Sequence, residues 1–308
     1  MTLIRGLQNL NNEHQPCVAS IGNYDGVHLG HQHVIATLLD HGERLGVATT
    51  VITFEPLAKE YFMPMSVARL TSVEERAELL FAQGVDQVLC IDFNADFASY
   101  EPRAFVQNVL IDGLAIRHLS VGDDFRFGKQ RAGDFSLLKE MGLLNSFDVT
   151  SHNTFELEGA RVSSGRIRAA LADGDFTMAA QLLGRSYAIS GKVSMGQQLG
   201  RTIDYPTANI VLDDVLMPIN GVFAVNIELQ SGERQLGVAN IGNRPTVDGK
   251  ENRLEVHIFD FEQDLYDQNL RVTPVEKIRN ELKFDTFDDL KQQIQKDAAQ
   301  ARRILSKN

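Results

Sequence analysis

Cysteine is scarce in this chain: two among 308 residues, Cys17 and Cys90. Each lies inside an apolar, strand-like run, where a buried thiol is the ordinary state, and together they imply no disulfide framework. No apolar run approaches membrane-spanning length, and Met1-Thr2-Leu3-Ile4-Arg5 lacks a signal-peptide core, so a cytoplasmic location is expected. Positive charge is also short, with 30 Lys+Arg against 41 Asp+Glu and a formal net charge of -11. That balance works against a broad phosphate-tracking surface for nucleic acid, so an anionic ligand must be held by a local site. Repeats, low-complexity segments and flexible linkers are missing too. What is present, 43% hydrophobic and 23% charged residues, suffices for two domains with sizeable cores.

The densest signal is Ile21-Gly22-Asn23-Tyr24-Asp25-Gly26-Val27-His28-Leu29-Gly30-His31. It follows the strand-like Cys17–Ile21 and precedes Val34, Ile35, Leu38 and Leu39, which recur at helical spacing. This is a strand-turn-helix joint. Gly22, Gly26 and Gly30 let backbone approach a phosphate, and the first amides of the helix point at the anion. His28 and His31, three apart, share one side of the opening turn. Two imidazoles so placed suit an α-phosphate whose charge builds up during attack. Zinc is the competing reading, with His33 as a third histidine, but a zinc helix wants ligands four apart and a further carboxylate or thiolate.

Strand-like and helix-like segments alternate from residue 17 to about 150. Val47–Phe54, Gln87–Ile91 and His118–Gly122 read as strands; 72–83, with a Ser72/Glu75 capping box and Gly84 as its stop, and 102–112, closed by Gly113, read as helices. The order predicts an α/β domain: a Rossmann-like parallel sheet with helices on both faces and ligands beyond the carboxyl ends of its strands. A helix from Ser163-Ser164 to about Asp173 and a companion to Gly184 follow. From 186 to about 275 short alternating runs punctuated by Gly, Pro, Asn and Asp predict a small antiparallel barrel, and 287–305 returns to helical patterning. The expected domains are 1–184 and 185–308.

Three further constellations carry chemistry. Val121 to Gly133 packs Asp123, Asp124, Phe125, Arg126 and Phe127 before Lys129 and Arg131, which reads either as a ring-binding surface with a basic rim or as a solvated loop with two core phenylalanines. Ser163-Ser164-Gly165-Arg166-Ile167-Arg168 reads as a pyrophosphate clamp or as an N-cap with surface arginines. In the barrel, Gly191 to Gly200-Arg201 leads to Tyr205-Pro206-Thr207-Ala208-Asn209, where Thr207 and Asn209 offer hard oxygen ligands for Mg²⁺. Glu255, between Leu254 and Val256, is either a salt-bridged structural residue or a general base.

Together these motifs resemble the bacterial bifunctional riboflavin kinase/FAD synthetase family, from Leu3 to Phe284. Gly22–His31, Phe54-Glu55-Pro56, Val121–Gly133 and Ser163–Arg168 resemble its four nucleotidylyltransferase motifs. Gly200-Arg201 through Asn209, Gly221–Val225, Gly237–Thr246, Leu254–His257 and Ile278-Arg279-Asn280-Glu281 with Lys283-Phe284 resemble its kinase module.

The resemblance implies two reactions at separate sites: ATP phosphorylates riboflavin to FMN in the barrel, and ATP adenylylates FMN to FAD in the α/β domain, releasing pyrophosphate. By position, His28, His31, Ser164, Arg168 and Glu255 are catalytic. Gly22, Asn23, Asp25, Gly26, Gly30, Gly191, Gly200, Arg201 and Thr207 bind nucleotide. Phe54, Asp124, Phe125, Arg126 and Arg279 face the flavin, and Thr207 with Asn209 holds Mg²⁺. The implied partners are small molecules alone, neither nucleic acid nor membrane, in a monomer or weak oligomer. The alternatives are a kinase-only enzyme and a flavin-binding module without turnover. The chain departs from the pattern at Gly165, where threonine is usual and the clamp is one hydroxyl short, at Asp204 for glycine, at Ala58 for proline, and at Asp267-Gln268 for glycine and a basic residue.

Overall fold

The computed structural model describes residues 1–63, 67–194, 206–212, 216–246 and 249–307. The chain divides into two compact units, Met1–Val67 with Thr71–Ser164, and Ala68–Leu70 with Gly165–Asn308.

The first unit is built on β1 (Thr2–Arg5), β2 (Cys17–Ile21), β3 (Ala48–Glu55), β4 (Gln87–Asp92), β5 (His118–Gly122) and β6 (Asp148–His152). They form one six-stranded sheet in the order β1-β4-β3-β2-β5-β6, and every pair is parallel. Between them run α1 (Leu29–Leu45), α2 (Ala58–Phe62), α3 (Val73–Ala82), α4 (Ala95–Ala98), α5 (Pro102–Phe105) and α6 (Phe135–Asn145); a small hairpin of β7 (Glu156–Leu157) and β8 (Ala160–Arg161) follows β6. Pleat alternation divides the core. Val18, Val51 and Val88 pack with Ile35, Leu38, Ala77 and Leu80 of α1 and α3 on one face. Cys17, Ala19, Ile21, Ile52 and Leu89 pack with Phe105, Val109, Leu110 and Leu138 on the other. Both faces are therefore covered, as a parallel sheet requires.

Capping follows the sequence signals at α3, where Ser72 and Glu75 bond each other's backbone amides reciprocally and Gly84 takes φ +98°. The expected single helix over 102–112 is instead α5 followed by a π-helical stretch, Val106–Gly113. A Cβ at Gly113 would lie 3.0 Å from the Asn108 carbonyl and 3.2 Å from Leu10, so the widened turn fits there because residue 113 has no side chain.

The second unit holds α8 (Phe176–Leu183), preceded by α7 (Ser164–Ala172), and the strands β9 (Ile189–Ser194), β10 (Ala208–Val211), β11 (Gly221–Glu228), β12 (Arg234–Thr246), β13 (Gly249–Ile258) and β14 (Asn269–Arg279), with α9 (Phe287–Leu305) at the end. The strands close into an antiparallel barrel, β10-β13-β12-β11-β14-β9. Phe223, Ala239, Leu254 and Val256 are buried on one side of the wall. Val222, Ala224 and Val238 are buried on the other, against Ala298, Ala301 and Leu305 of α9. The alternation puts Glu255 on the same outer face as Val222 and Val238, because Asn240 pairs with both Val222 and Glu255.

Candidate active sites

In the first unit the chain winds outward from β2 in both directions, so the switch point lies between β2 and β5, where such sheets bind ligands beyond the strand ends. The Gly22–Val27 turn sits there. Its backbone is strained: Tyr24, Gly26 and Val27 have φ of 49°, 84° and 38°, and positive φ is a genuine outlier for β-branched valine. The surroundings hold it. Tyr24 and Val27 are buried in the core with α1, and the buried Asp25 carboxylate accepts from the Thr71 amide and hydroxyl at 3.1 and 3.2 Å. Ser164 Oγ donates to the Asp25 carbonyl at 2.9 Å. Asp25 and Ser164 thus shape the turn, while the Asn23 side chain is exposed at its rim.

His28 caps α1, and its Nδ1 accepts the His31 amide at 3.3 Å. The two imidazoles stack with centroids 3.6 Å apart. Gly30 leaves room for this, since a Cβ there would come within 3.2 Å of the His28 ring. Burial pushes His31 well below the usual 6.5, and the neighbouring His28, Arg76 and Arg161 push it the same way. Its ring is therefore neutral at neutral pH, and its buried Nδ1 makes no hydrogen bond among the described residues. A phosphate oxygen meeting such a neutral ring accepts from whichever ring nitrogen carries the hydrogen.

Of the residues expected to face the flavin, Phe54, Asp124, Phe125 and Arg126 belong to this unit, near the carboxyl ends of β3 and β5. Phe54, the penultimate residue of β3, lies within an aromatic group with Phe93 and Phe97, each 5.7 Å away between centroids. Phe125 stacks on the buried Phe127 at 5.6 Å. Asp124 pairs with Arg161 at 2.9 Å, and that hydrogen bond holds its carboxyl below the usual carboxylate range. The Arg126 guanidinium turns back to the Phe125 carbonyl at 3.3 Å.

Three residues of this region escape a sequence reading. Arg76 is fully buried and donates to Thr53 Oγ1 at 2.8 Å and to the Phe54 carbonyl at 3.2 Å. Its signal was its place on the same α3 face as Val73, Ala77 and Leu80, a cation in an apolar stripe. Thr71 and Arg161 carry no comparable local mark.

In the barrel, β10, β13 and β12 bring Asn209, Glu255 and Asn240 into one cross-strand row on the outer face. Asn209 Nδ2 donates to the Thr207 carbonyl at 3.3 Å. A cleft of about 410 Å³ is lined by Thr207, Asn209, Val193, Phe261 and Tyr266 among others; of the row, only Asn209 reaches it. Gly191 lies in β9 opposite Leu270. Gly200, Arg201 and Asp204 lie outside the described residues. Arg279 is engaged elsewhere: Nε and Nη2 bond the buried Asp297 of α9 at 2.7–3.0 Å, and Nη1 donates to the Asn280 carbonyl. In the same unit Arg168 Nε donates to the Ala68 carbonyl.

A parallel sheet with a histidine turn at its switch point, followed in one chain by a closed barrel with an Asn-Glu-Asn row, defines the class: a nucleotidyltransferase-type unit joined to a kinase-type barrel. Residues 10–166 match the FAD synthetase family model and residues 183–305 the riboflavin kinase model. The bifunctional riboflavin kinase/FMN adenylyltransferase of Pseudomonas fluorescens is 45% identical over 308 residues, covering 99% of this chain and 98% of the relative. The protein of the same description from Escherichia coli K12 is 46% identical with the same coverage. A solved structure described as a macrolide-efflux protein of Streptococcus pneumoniae is similar at a TM-score of 0.77 and 32% identity, covering 96% of this chain and 97% of that one. Among the described residues no helix is long and apolar enough to cross a membrane. The chain belongs to the bifunctional riboflavin kinase/FMN adenylyltransferase family.

Proposed function

We propose that this chain makes both flavin cofactors: the barrel transfers the γ-phosphoryl group of ATP to riboflavin, and the α/β unit transfers the adenylyl group of a second ATP to FMN. The observation that carries the reading is that one chain holds both the stacked His28–His31 pair and the Asn209–Glu255 cross-strand pair. In the barrel Glu255 takes the proton of the attacking ribityl hydroxyl as ADP leaves. Thr207, just before β10, and Asn209, paired with Glu255 across the strands, offer hard oxygen donors that fit Mg²⁺ when substrate phosphates complete its shell. When bound, Mg²⁺ neutralises charge on the transferred phosphates.

In the α/β unit an FMN phosphate oxygen attacks the α-phosphorus and pyrophosphate leaves. His28 and His31 donate to the α-phosphate as its charge rises, and the helix amides behind them add their dipole. Ser164, at the start of α7, receives the leaving pyrophosphate. Phe54 and Phe125 offer faces for the flavin ring. We take the functional boundary at 184/185, at the end of α8 and beside the start of the riboflavin kinase match at residue 183, and a cytoplasmic location where ATP is supplied. Incubating the chain with riboflavin, ATP and Mg²⁺ and separating the flavins by chromatography tests the reading: FMN and then FAD are expected, and absence of both refutes it.

A further inference from the structure

On the outer face of β13, two residues beyond Glu255, stands His257. Its Nδ1 lies 2.9 Å from the Pro206 carbonyl. A carbonyl oxygen only accepts, so Nδ1 carries the hydrogen and the imidazole is the donor. Pro206 immediately precedes Thr207, and proline has no amide hydrogen of its own with which to anchor this point of the chain. Asn209, two residues on, enters β10 opposite Glu255. The His257 bond therefore closes a small frame: β13 carries Glu255 and His257, and the Pro206–Asn209 segment is fixed to both of them, by pairing at Asn209 and by the imidazole at Pro206.

The imidazole is itself held. Phe259 meets it edge-on with centroids 5.7 Å apart. Arg302 of α9 lies 4.2 Å above the Phe259 ring and grips Asp260 through two hydrogen bonds of 2.8 and 2.9 Å. Burial pushes His257 below its usual range, and Arg302 adds to this, while its bond to Pro206 works the other way.

We infer that His257 is a positioning residue for phosphoryl transfer: by holding the Pro206 carbonyl it sets Thr207 and Asn209 at the distance from Glu255 at which phosphate, metal ion and base work together. The inference rests on the reading of the barrel as the kinase site. Displacements of about 1 Å at such a site cost on the order of 100-fold in rate, and an exposed loop left without this bond has that freedom.

The test uses the full chain and two variants. His257→Asn places an amide N–H where Nδ1–H stands, whereas His257→Gln places it one bond further out. For Gln we expect kcat/KM for ATP in FMN formation to fall about 10- to 100-fold, with more Mg²⁺ needed for half-maximal rate and KM for riboflavin unchanged. Asn restores most of the loss. Conversion of supplied FMN to FAD stays at the wild-type rate in both, which also reports a folded chain. Wild-type kinase kinetics in the Gln variant overturn the inference, as do equal losses in Asn and Gln with an unchanged Mg²⁺ requirement. Failure of the wild type to form FMN refutes the kinase reading itself, a separate result.

Discussion

The imidazoles of His28 and His31 lie face to face, with centroids 3.6 Å apart and planes inclined by only 15°. Two cationic rings would repel at that spacing, so the stack favours neutral rings, and burial drives His31 the same way. The pair is thus a set of hydrogen-bond donors rather than a fixed double positive charge. Removing one ring should remove stabilisation of the transferring phosphate and little else. We expect His28→Ala to lower FAD formation from FMN about 100- to 1000-fold while leaving FMN formation from riboflavin intact, measured by chromatographic product analysis of each half-reaction.

Glu255 offers the complementary loss. Its backbone is fixed by pairing on both sides, to Asn209 and Asn240, so Glu255→Gln keeps the shape and removes the base. FMN formation should fall about 100- to 10,000-fold, and adenylylation of supplied FMN should continue. Steady-state assays with riboflavin or FMN as the sole flavin check this.

Arg279 and Asp297 form an ion pair with side chains 18% and 5% exposed. Breaking a buried pair from one side leaves an uncompensated charge, which costs about 3–5 kcal/mol. Asp297→Ala should therefore destabilise the barrel unit by that order, through loss of the bond between β14 and α9. Denaturant unfolding followed by circular dichroism measures it, and an m-value equal to that of the parent chain makes the comparison sound.

Acid should weaken the α/β unit at a particular place. Burial, with the stacked His41 ring next in effect, pushes His118 down from 6.5 to about 4. The folded ring stays neutral while the unfolded one takes up a proton, so its contribution is intact above pH 6.5 and is lost as pH falls toward about 4. Melting temperatures measured across that window should decline, and His118→Gln should decline less steeply.

Much of this fold was legible from periodicity. Val18, Val51 and Val88 alternate with neighbours that face the other way, and the switch to helical spacing after His31 marked the strand-turn-helix joint that carries the histidines. The capping box at Ser72 and Glu75 was readable because it is local. β1 and β6 were not: one is four residues long, and the other is a half-exposed edge strand without a clear apolar alternation. Arg76, Thr71 and Arg161 act through partners far away in sequence, and no local pattern announces which partner a side chain will meet. The same holds for Arg279, whose nearness to the Lys283-Phe284 motif gives no hint that Asp297 takes up its guanidinium. The row Asn209–Glu255–Asn240 depended on strand register, which sequence spacing between three separate strands does not set.

Mixing two crippled chains tests the claim of two independent sites most directly. His28→Ala and Glu255→Gln proteins, each unable to turn riboflavin into FAD alone, should together convert riboflavin, ATP and Mg²⁺ to FAD, with free FMN passing from one variant to the other. A mixture that still yields no FAD, although each variant keeps its own half-reaction, would contradict free exchange between the sites, and either variant losing both half-reactions would contradict two sites altogether.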